Sequence, residues 1–275
     1  MSFVIVGAKG MLGSMLSVVF ADKHPILLDK DEIDITNETS VRKALRDAGA
    51  THVINAAAYT NVDGAEEHSD TAFAVNEIGV KNLGLICREL SATLVHFSTD
   101  YVFPGTNEDG YTEADSPGPA INVYGQSKLA GERALKESGC NFYLVRTAWL
   151  YGPNGKNFVD TMLQLAQKQD HLQVVSDQRG CPTYTKDLAE YVRTLLEGAY
   201  PFGIYHGVNT GNASWFEFAQ KIFEYTSSIA IVVKPISSAQ FPRPAKRPAF
   251  SILQNTKGPS MRSWQDALAE YVRGV

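Results

Sequence analysis

Short, continuously apolar runs recur through the first half of the chain. They are Ser2-Phe-Val-Ile-Val6, Pro25-Ile-Leu-Leu28, His52-Val-Ile-Asn55, Thr93-Leu-Val-His-Phe97 and Phe142-Tyr-Leu-Val145. Continuous rather than alternating apolarity suits strands buried on both faces of a parallel sheet. Between them, Met11 to Ala21, Asn37 to Ala48 and Asp70 to Leu90 have helical spacing, and Lys128 to Glu137 is strongly helical. Thr36 or Asn37 is placed to cap the second of these. Strands alternating with helices predict an α/β fold with a Rossmann-type, doubly wound parallel sheet.

Beyond Gly152-Pro153-Asn154-Gly155 the order becomes less regular. The spacing predicts helices over Asn157 to Gln169, Thr185 to Leu196, Trp215 to Thr226 (capped by Ser214) and Ser263 to Arg273. It predicts strands at Leu172 to Val175, Gly203 to His206 and Ile229 to Val233. Residues 1–150 with about 181–208 are expected to form the larger domain. Residues about 151–180 with 209–275 are expected to form a smaller α/β C-terminal domain.

Composition narrows the function classes. The 275 residues are 44% apolar and 20% charged, the balance of an ordinary globular protein. A formal charge of −5 argues against general nucleic-acid binding. Cys87, Cys140 and Cys181 are too widely spaced for a zinc site or a disulfide framework, and reduced thiols in a cytoplasmic protein are expected. The N-terminus runs straight into a strand without the regions of a signal peptide, and no apolar run is long enough to span a bilayer.

Candidate chemistry starts at Gly7-Ala-Lys-Gly10-Met-Leu-Gly13, between a strand and a helix. Glycines there allow the tight bend and the close approach of a pyrophosphate, which then meets the helix N-terminus at Met11 and Leu12. Asp29 follows Gly7 by 22 residues, near the spacing of an acid that meets the adenosine ribose. Lys9 and Lys30 are each able to accept a 2′-phosphate, so NADH and NADPH both stay open. Asp34 and Ile35 are candidates to line the adenine, with a capping role open for Asp34. Ala56-Ala-Ala58 lets a ligand approach the backbone at a strand end, and Ser98, Thr99, Asp100 and Tyr101 occupy another such end.

Asn122-Val123-Tyr124-Gly125-Gln126-Ser127-Lys128 places a phenol and an ammonium four residues apart, on one helix face. The lysine is expected to lower the tyrosine pKa and make it a proton donor to a carbonyl undergoing reduction. Phe241-Pro-Arg243-Pro-Ala-Lys246-Arg247-Pro248 is a rigid basic loop, suited to a diphosphate. Asp177 to Thr183 is a donor-rich loop suited to the same ligand.

Gly7/Gly10/Gly13, Asn55-Ala-Ala-Ala58, Ser98-Thr99-Asp100 and Tyr124/Lys128 together resemble the extended short-chain dehydrogenase/reductase family. Within it the chain is similar to the dTDP-4-dehydrorhamnose reductase family. The further motifs are Ala58-Tyr-Thr60-x-Val62-Asp63-x-Ala65-Glu66, Tyr101-Val-Phe-Pro-Gly105 and Lys128-Leu-Ala-Gly-Glu132. Later come Arg146-Thr-x-Trp149-x-Tyr151, Asp177-Gln178-x-Gly180-x-Pro182-Thr183 and Arg247-Pro248-x-x-Ser251-x-Leu253.

The resemblance implies NAD(P)H-dependent reduction of the C4 ketone of a dTDP-sugar, with the C-terminal domain binding substrate. It implies that Tyr124 donates the proton, that Lys128 tunes Tyr124 and holds the nicotinamide ribose, and that the Thr99 hydroxyl fixes the carbonyl oxygen. Cofactor contacts are implied at Gly7, Gly10, Met11, Leu12, Asp29, Asp34 and Ile35, then at Ala56, Ala57, Ala58, Asn76 and Ser98. Sugar-nucleotide contacts are implied at Val62, Asp100, Tyr101, Trp149, Gln178 and Arg247. Related 4,6-dehydratases carry a glutamate where this chain has Tyr101, which argues against dehydration. Three alternatives stay open: a reductase of another nucleotide sugar, an epimerase, and a regulatory subunit like the methionine adenosyltransferase β subunit. Some family members dimerise through a magnesium ion held by glutamates. Met15 and Gln265 occupy those positions here, so a monomer or weak dimer without a bridging metal is expected.

Overall fold

The computed structural model describes residues 1–226 and 231–274. The chain opens with β1 (Phe3–Val6), α1 (Met11–Val19), β2 (Ile26–Leu28), α2 (Glu38–Asp47) and β3 (His52–Asn55). Then come α3 (Val62–Glu67), α4 (Ser69–Phe73), α5 (Gly79–Glu89), β4 (Thr93–Thr99), α6 (Val123–Ser138) and β5 (Asn141–Thr147). The second half holds β6 (Leu150–Tyr151), α7 (Phe158–Ala166), β7 (His171–Val175), β8 (Arg179–Gly180), β9 (Thr183–Tyr184) and α8 (Thr185–Glu197). It ends with β10 (Gly203–His206), β11 (Ala213–Ser214), α9 (Trp215–Tyr225), β12 (Val232–Ile236) and α10 (Trp264–Arg273).

Six strands form one sheet in the order β10-β5-β4-β3-β1-β2, all parallel. Every residue of β1 is buried, which explains its unbroken apolar run. The chain winds outward from β1 to β2, then returns to β3 on the other side of β1. That reversal opens a crevice at the carboxyl ends of β1 and β3, the place where doubly wound sheets bind ligands. One apolar cluster packs α1 and α8 on one face, through Leu12, Leu16, Leu188 and Val192. Another covers the opposite face with α2 and α5, through Val41, Leu45, Val80 and Leu83. A third, built on Tyr151, Phe218, Trp264 and Leu268, belongs to the second half of the chain.

Caps set several boundaries. Asn37 caps α2 by accepting from Ser40 N, and Ser214 forms a full capping box with Glu217 on α9. Two expectations shift. The helix expected over Asp70 to Leu90 is interrupted by a π turn at Ala74–Ile78 that carries Asn76. Such bulges leave backbone groups and side chains free for unusual contacts. The strand expected at Ile229 to Val233 pairs instead as Val232–Ile236, because β7 sets its register. Ile229 and Ala230 lie outside the described residues.

Candidate active site

The glycine turn closes on β3. Gly7 has φ +78°, and a Cβ there would sit 2.6 Å from Ala57 N. A Cβ on Gly13 would sit 2.0 Å from Gly7 O, so α1 approaches the turn more closely than any side chain permits. Gly10 is the N-cap of α1, and no side chain accepts from its first turn. The first amides, at Met11 and Leu12, thus point at the crevice with the positive end of the helix dipole. This cradle fits a pyrophosphate. The Leu12 side chain itself is core, so only its backbone is available.

At the end of β2, Asp29 accepts from Lys9 N and Lys30 N, both at 2.9 Å. Its own N–H donates to Glu32 at 2.8 Å. The Lys9 ammonium pairs with Asp31 at 2.8 Å.

Four expected cofactor contacts have other work. Ile35 is buried in the core beneath α5, where its carbonyl accepts from Asn82. The Asp34 carboxylate accepts from the Thr36 amide and hydroxyl, closing a local turn. The Ser98 hydroxyl donates to Glu132 at 2.6 Å, inside a buried pair that Glu132 forms with Arg146. Asn76 clasps Tyr59 by both amide atoms, at 2.9 and 3.1 Å, and also donates to Ser127. It shapes the chain after Ala58 from behind.

Thr99 ends β4, and Tyr124 lies in the first turn of α6. Asn122 caps that helix through Gly125 N at 2.7 Å, and its amide nitrogen donates to Lys246 O at 2.7 Å. A Cβ on Gly125 would lie 2.3 Å from Tyr101 O, so glycine lets α6 close over the end of β4. The Thr99 hydroxyl donates to Asp100 at 2.8 Å, accepts from Tyr101 N at 3.2 Å, and meets the Tyr124 hydroxyl. Burial pushes the Asp100 carboxyl up to about 6, against the pull of the Ser251 and Thr99 hydroxyls.

The Tyr124 side chain is half-buried, and burial pushes its phenol up to about 12 while the Thr99 contact pulls it down. The expected lowering by Lys128 is not what the geometry gives. The Lys128 ammonium turns into the sheet, 2.6 Å from Phe97 O, and burial holds it at about 8 despite Glu132. Desolvation outweighs the shared helix face for both groups.

Beside these groups lies a cleft of about 680 Å³, lined among others by Tyr101, Phe158, Gln178, Trp215, Phe241, Arg243 and Arg247. Tyr101 meets the Tyr124 ring edge-on at 6.0 Å. Val62 is half-buried at the start of α3. Trp149 adopts φ +47° and stacks on Trp215 at 3.4 Å. It backs the wall that Trp215 presents to the cleft.

Asp63 is the group that sequence reasoning left out. It binds Arg247, Arg243 and Ala245 N together, and the Arg247 contact holds its carboxyl far below the usual range. Its only sequence signal was its place in the motif around Val62. Trp215 was read as a helix residue, with nothing local to mark it as a cleft wall. Among the described residues no cluster of three or more His, Cys, Asp or Glu could hold a metal ion. No helix of the described residues is long and apolar enough to cross a membrane.

A family model described as the RmlD substrate binding domain matches residues 1–275. A dTDP-4-dehydrorhamnose reductase of Mycolicibacterium smegmatis is 41% identical over 280 residues, covering 99% of this chain and 85% of that protein. The solved dTDP-4-dehydrorhamnose reductase of Bacillus anthracis, in complex with NADP, superposes with a TM-score of 0.95 at 39% identity. That match covers 100% of this chain and 99% of the other. The corresponding structure from Clostridium acetobutylicum gives a TM-score of 0.94 at 41% identity, with 99% of each chain covered.

Proposed function

The chain belongs to the RmlD substrate binding domain family, and from that premise we propose that it is a dTDP-4-dehydrorhamnose reductase. It reduces the C4 ketone of dTDP-4-dehydro-6-deoxy-L-mannose to dTDP-L-rhamnose with NADPH or NADH. The observation that carries this reading is the meeting of Thr99, Tyr124 and Asp100 at one strand end, between a pyrophosphate cradle and an arginine-lined cleft.

Residues 1–150 with about 181–208 hold the cofactor in this reading, and about 151–180 with 209–275 hold the nucleotide sugar. The turn at Gly7, Gly10 and Gly13 and the first amides of α1 would bind the pyrophosphate, and Asp29 the adenosine ribose. Ala56 to Ala58 leave room for the dinucleotide along the crevice, and Lys128 would turn from the Phe97 carbonyl to reach the nicotinamide ribose. The bound cofactor supplies the hydride for C4.

The protein's own work is positioning and proton delivery. Tyr124 gives a proton to the oxygen that gains negative charge, and Thr99, whose hydrogen goes to Asp100 without substrate, would turn it to that oxygen. An alkoxide is a far stronger base than the phenolate left behind, so the raised phenol pKa does not oppose this transfer. Tyr101 faces the sugar and offers no second carboxylate for dehydration, while buried Asp100 acts on the sugar only through Thr99. Arg247, with Arg243, meets the diphosphate, while Trp215, Phe158 and Gln178 wall the remainder. Met15 and Gln265 replace metal-binding carboxylates, so the chain works without a metal-bridged dimer. Three buried, unpaired cysteines suit the cytoplasm.

Purified protein with NADPH and the 4-keto sugar nucleotide tests the reading. Oxidation of the cofactor with formation of dTDP-L-rhamnose is expected. Binding of both ligands without turnover would overturn it.

A further inference from the structure

Contacts along the cleft run in one order from Tyr124 outward. The Tyr101 ring meets Tyr124 edge-on at 6.0 Å, and its hydroxyl meets Arg247. Arg247 and Arg243 share the Asp63 carboxylate. The Arg243 guanidinium then lies over the Phe241 ring, 5.6 Å from its centroid. A nucleotide sugar has the same order of parts, with sugar, diphosphate and nucleoside in a row. Among the described residues no Asp or Glu lines this cleft, so the guanidinium groups are open to a diphosphate. The next group outward, Phe241, then falls at the nucleoside.

Phe241 differs from the other rings of the wall. Trp215 stacks on Trp149 at 3.4 Å and leans on Phe158 at 4.7 Å. Phe158 in turn stacks on Phe218 at 5.5 Å. Tyr101 is engaged by Tyr124 and Arg247. Phe241 pairs with no other ring among the described residues, and it is 50% exposed. Arg243 occupies one face of the ring, which leaves the other for a ligand.

The loop around this ring is pinned on both sides. Three residues earlier, the Ser238 amide and hydroxyl donate to Asp177 at 2.9 and 3.0 Å. Two residues later, Arg243 Nε donates to Asp63 at 2.9 Å. Pro242 and Pro244 fix the backbone φ between and beyond these anchors. The ring is thus held in place before any ligand arrives, and binding has little ordering left to offset.

We propose that Phe241 is the stacking surface for the nucleobase of the sugar nucleotide. The inference rests on the sugar-nucleotide reading of the cleft and adds a binding residue to it. Stacking on an aromatic side chain is available to every base, because each has a π-face. Phe241 therefore contributes affinity for nucleoside diphosphates in general, and the choice of base belongs to polar groups elsewhere in the cleft.

Calorimetric titration of the parent, Phe241→Leu and Phe241→Tyr tests the proposal, with NADH present to fill the cofactor crevice. The probes are dTDP, UDP and inorganic pyrophosphate. Leucine keeps apolar bulk at a half-exposed position and removes only the ring. Phe241→Leu should weaken dTDP and UDP by about tenfold each, the scale of one lost stacking contact. Its affinity for pyrophosphate, which has no base, should stay within about twofold. Phe241→Tyr restores a ring and should hold both nucleotides within about twofold of the parent. An equal loss for pyrophosphate would show that the ring only supports Arg243, and that overturns the proposal. Unchanged dTDP affinity in Phe241→Leu overturns it as well. None of these titrations needs turnover. A parent that binds neither nucleotide loses the sugar-nucleotide reading together with the inference, whereas a parent that binds dTDP no better than Phe241→Leu does loses the inference alone.

Discussion

The Thr99 hydroxyl donates to the Asp100 carboxylate across 2.8 Å, so a buried acid orients the hydroxyl next to it in the chain. Asp100 is 3% exposed, and burial raises its carboxyl from 3.8 to about 6. The folded chain therefore binds this proton more tightly than the unfolded chain. The stability it contributes is complete below about pH 4 and is lost as pH rises through about 6. A two-unit shift corresponds to up to about 3 kcal/mol. Asp100→Asn cannot ionise, so its stability relative to the parent should rise by about 2–3 kcal/mol between pH 4 and pH 8 in urea unfolding. A difference that does not change with pH would show that Asp100 is not held above its ordinary range.

Tyr124→Phe removes the proposed proton donor and keeps the ring that meets Tyr101 edge-on. Turnover should fall at least about a hundredfold, the usual scale for losing a general acid. Cofactor affinity, read by fluorescence titration, should stay within about twofold, because the hydroxyl contributes little to dinucleotide binding. A near-parental kcat would remove Tyr124 from the chemistry.

Much of the frame was legible because strands buried on both faces leave unbroken apolar runs. The spacing gives Gly203 to His206 at its full length, and Asn37 (with Thr36 as the alternative) and Ser214 mark helix starts through local capping chemistry, whereas the helix that Asn122 caps from Val123 was expected only from Lys128. What could not be read depends on partners far along the chain. Asp63 works through arginines about 180 residues away, and no local pattern records that pairing. The π turn at Asn76 arises from a clasp on Tyr59, in a stretch with ordinary helical spacing. Four-residue spacing correctly put Tyr124 and Lys128 on one face, but not the direction of the Lys128 ammonium, which the Phe97 carbonyl decides.

The π turn packs against α6 at Gly131, where an added Cβ would lie 2.0 Å from Asn76 O. The contact is with backbone, so it cannot be relieved by a rotamer change. Gly131→Ala should destabilise the fold by about 1–3 kcal/mol, the usual cost of overpacking. Thermal unfolding should show a drop of several degrees. An unchanged or raised Tm would mean that α6 moves aside freely.

Cofactor preference follows from the charges at the end of β2. Asp29, Asp31 and Glu32 crowd that end, and the Lys9 ammonium is already paired with Asp31. A 2′-phosphate carries about two negative charges at neutral pH and would have to displace that pairing. NADH should therefore have the higher kcat/KM. Asp31→Ala releases Lys9 and should move the NADPH-to-NADH ratio up by about tenfold, the equivalent of one charge-assisted contact. Equal kcat/KM values in the parent, or a ratio that ignores Asp31, would contradict the assignment.

Asp63 joins α3 to the arginine loop that forms one side of the cleft, holding Arg243, Ala245 N and Arg247 at once. Two opposing effects follow from removing it. The arginines gain effective positive charge toward a diphosphate, but Arg243 is about half exposed, and salt screens such a gain. The loop also loses its shared anchor, so the cleft must be ordered when substrate binds, at a cost of about 0.5–1.5 kcal/mol for each side chain immobilised. With two arginines affected, the loss of organisation should dominate. Asp63→Ala is expected to raise KM for the nucleotide sugar by about tenfold. Its kcat and its KM for NADH should stay within about twofold, since Thr99, Tyr124 and the glycine turn are untouched. A lowered KM would show that released charge outweighs the lost anchor. A fall in kcat alone would place Asp63 with the reacting groups instead.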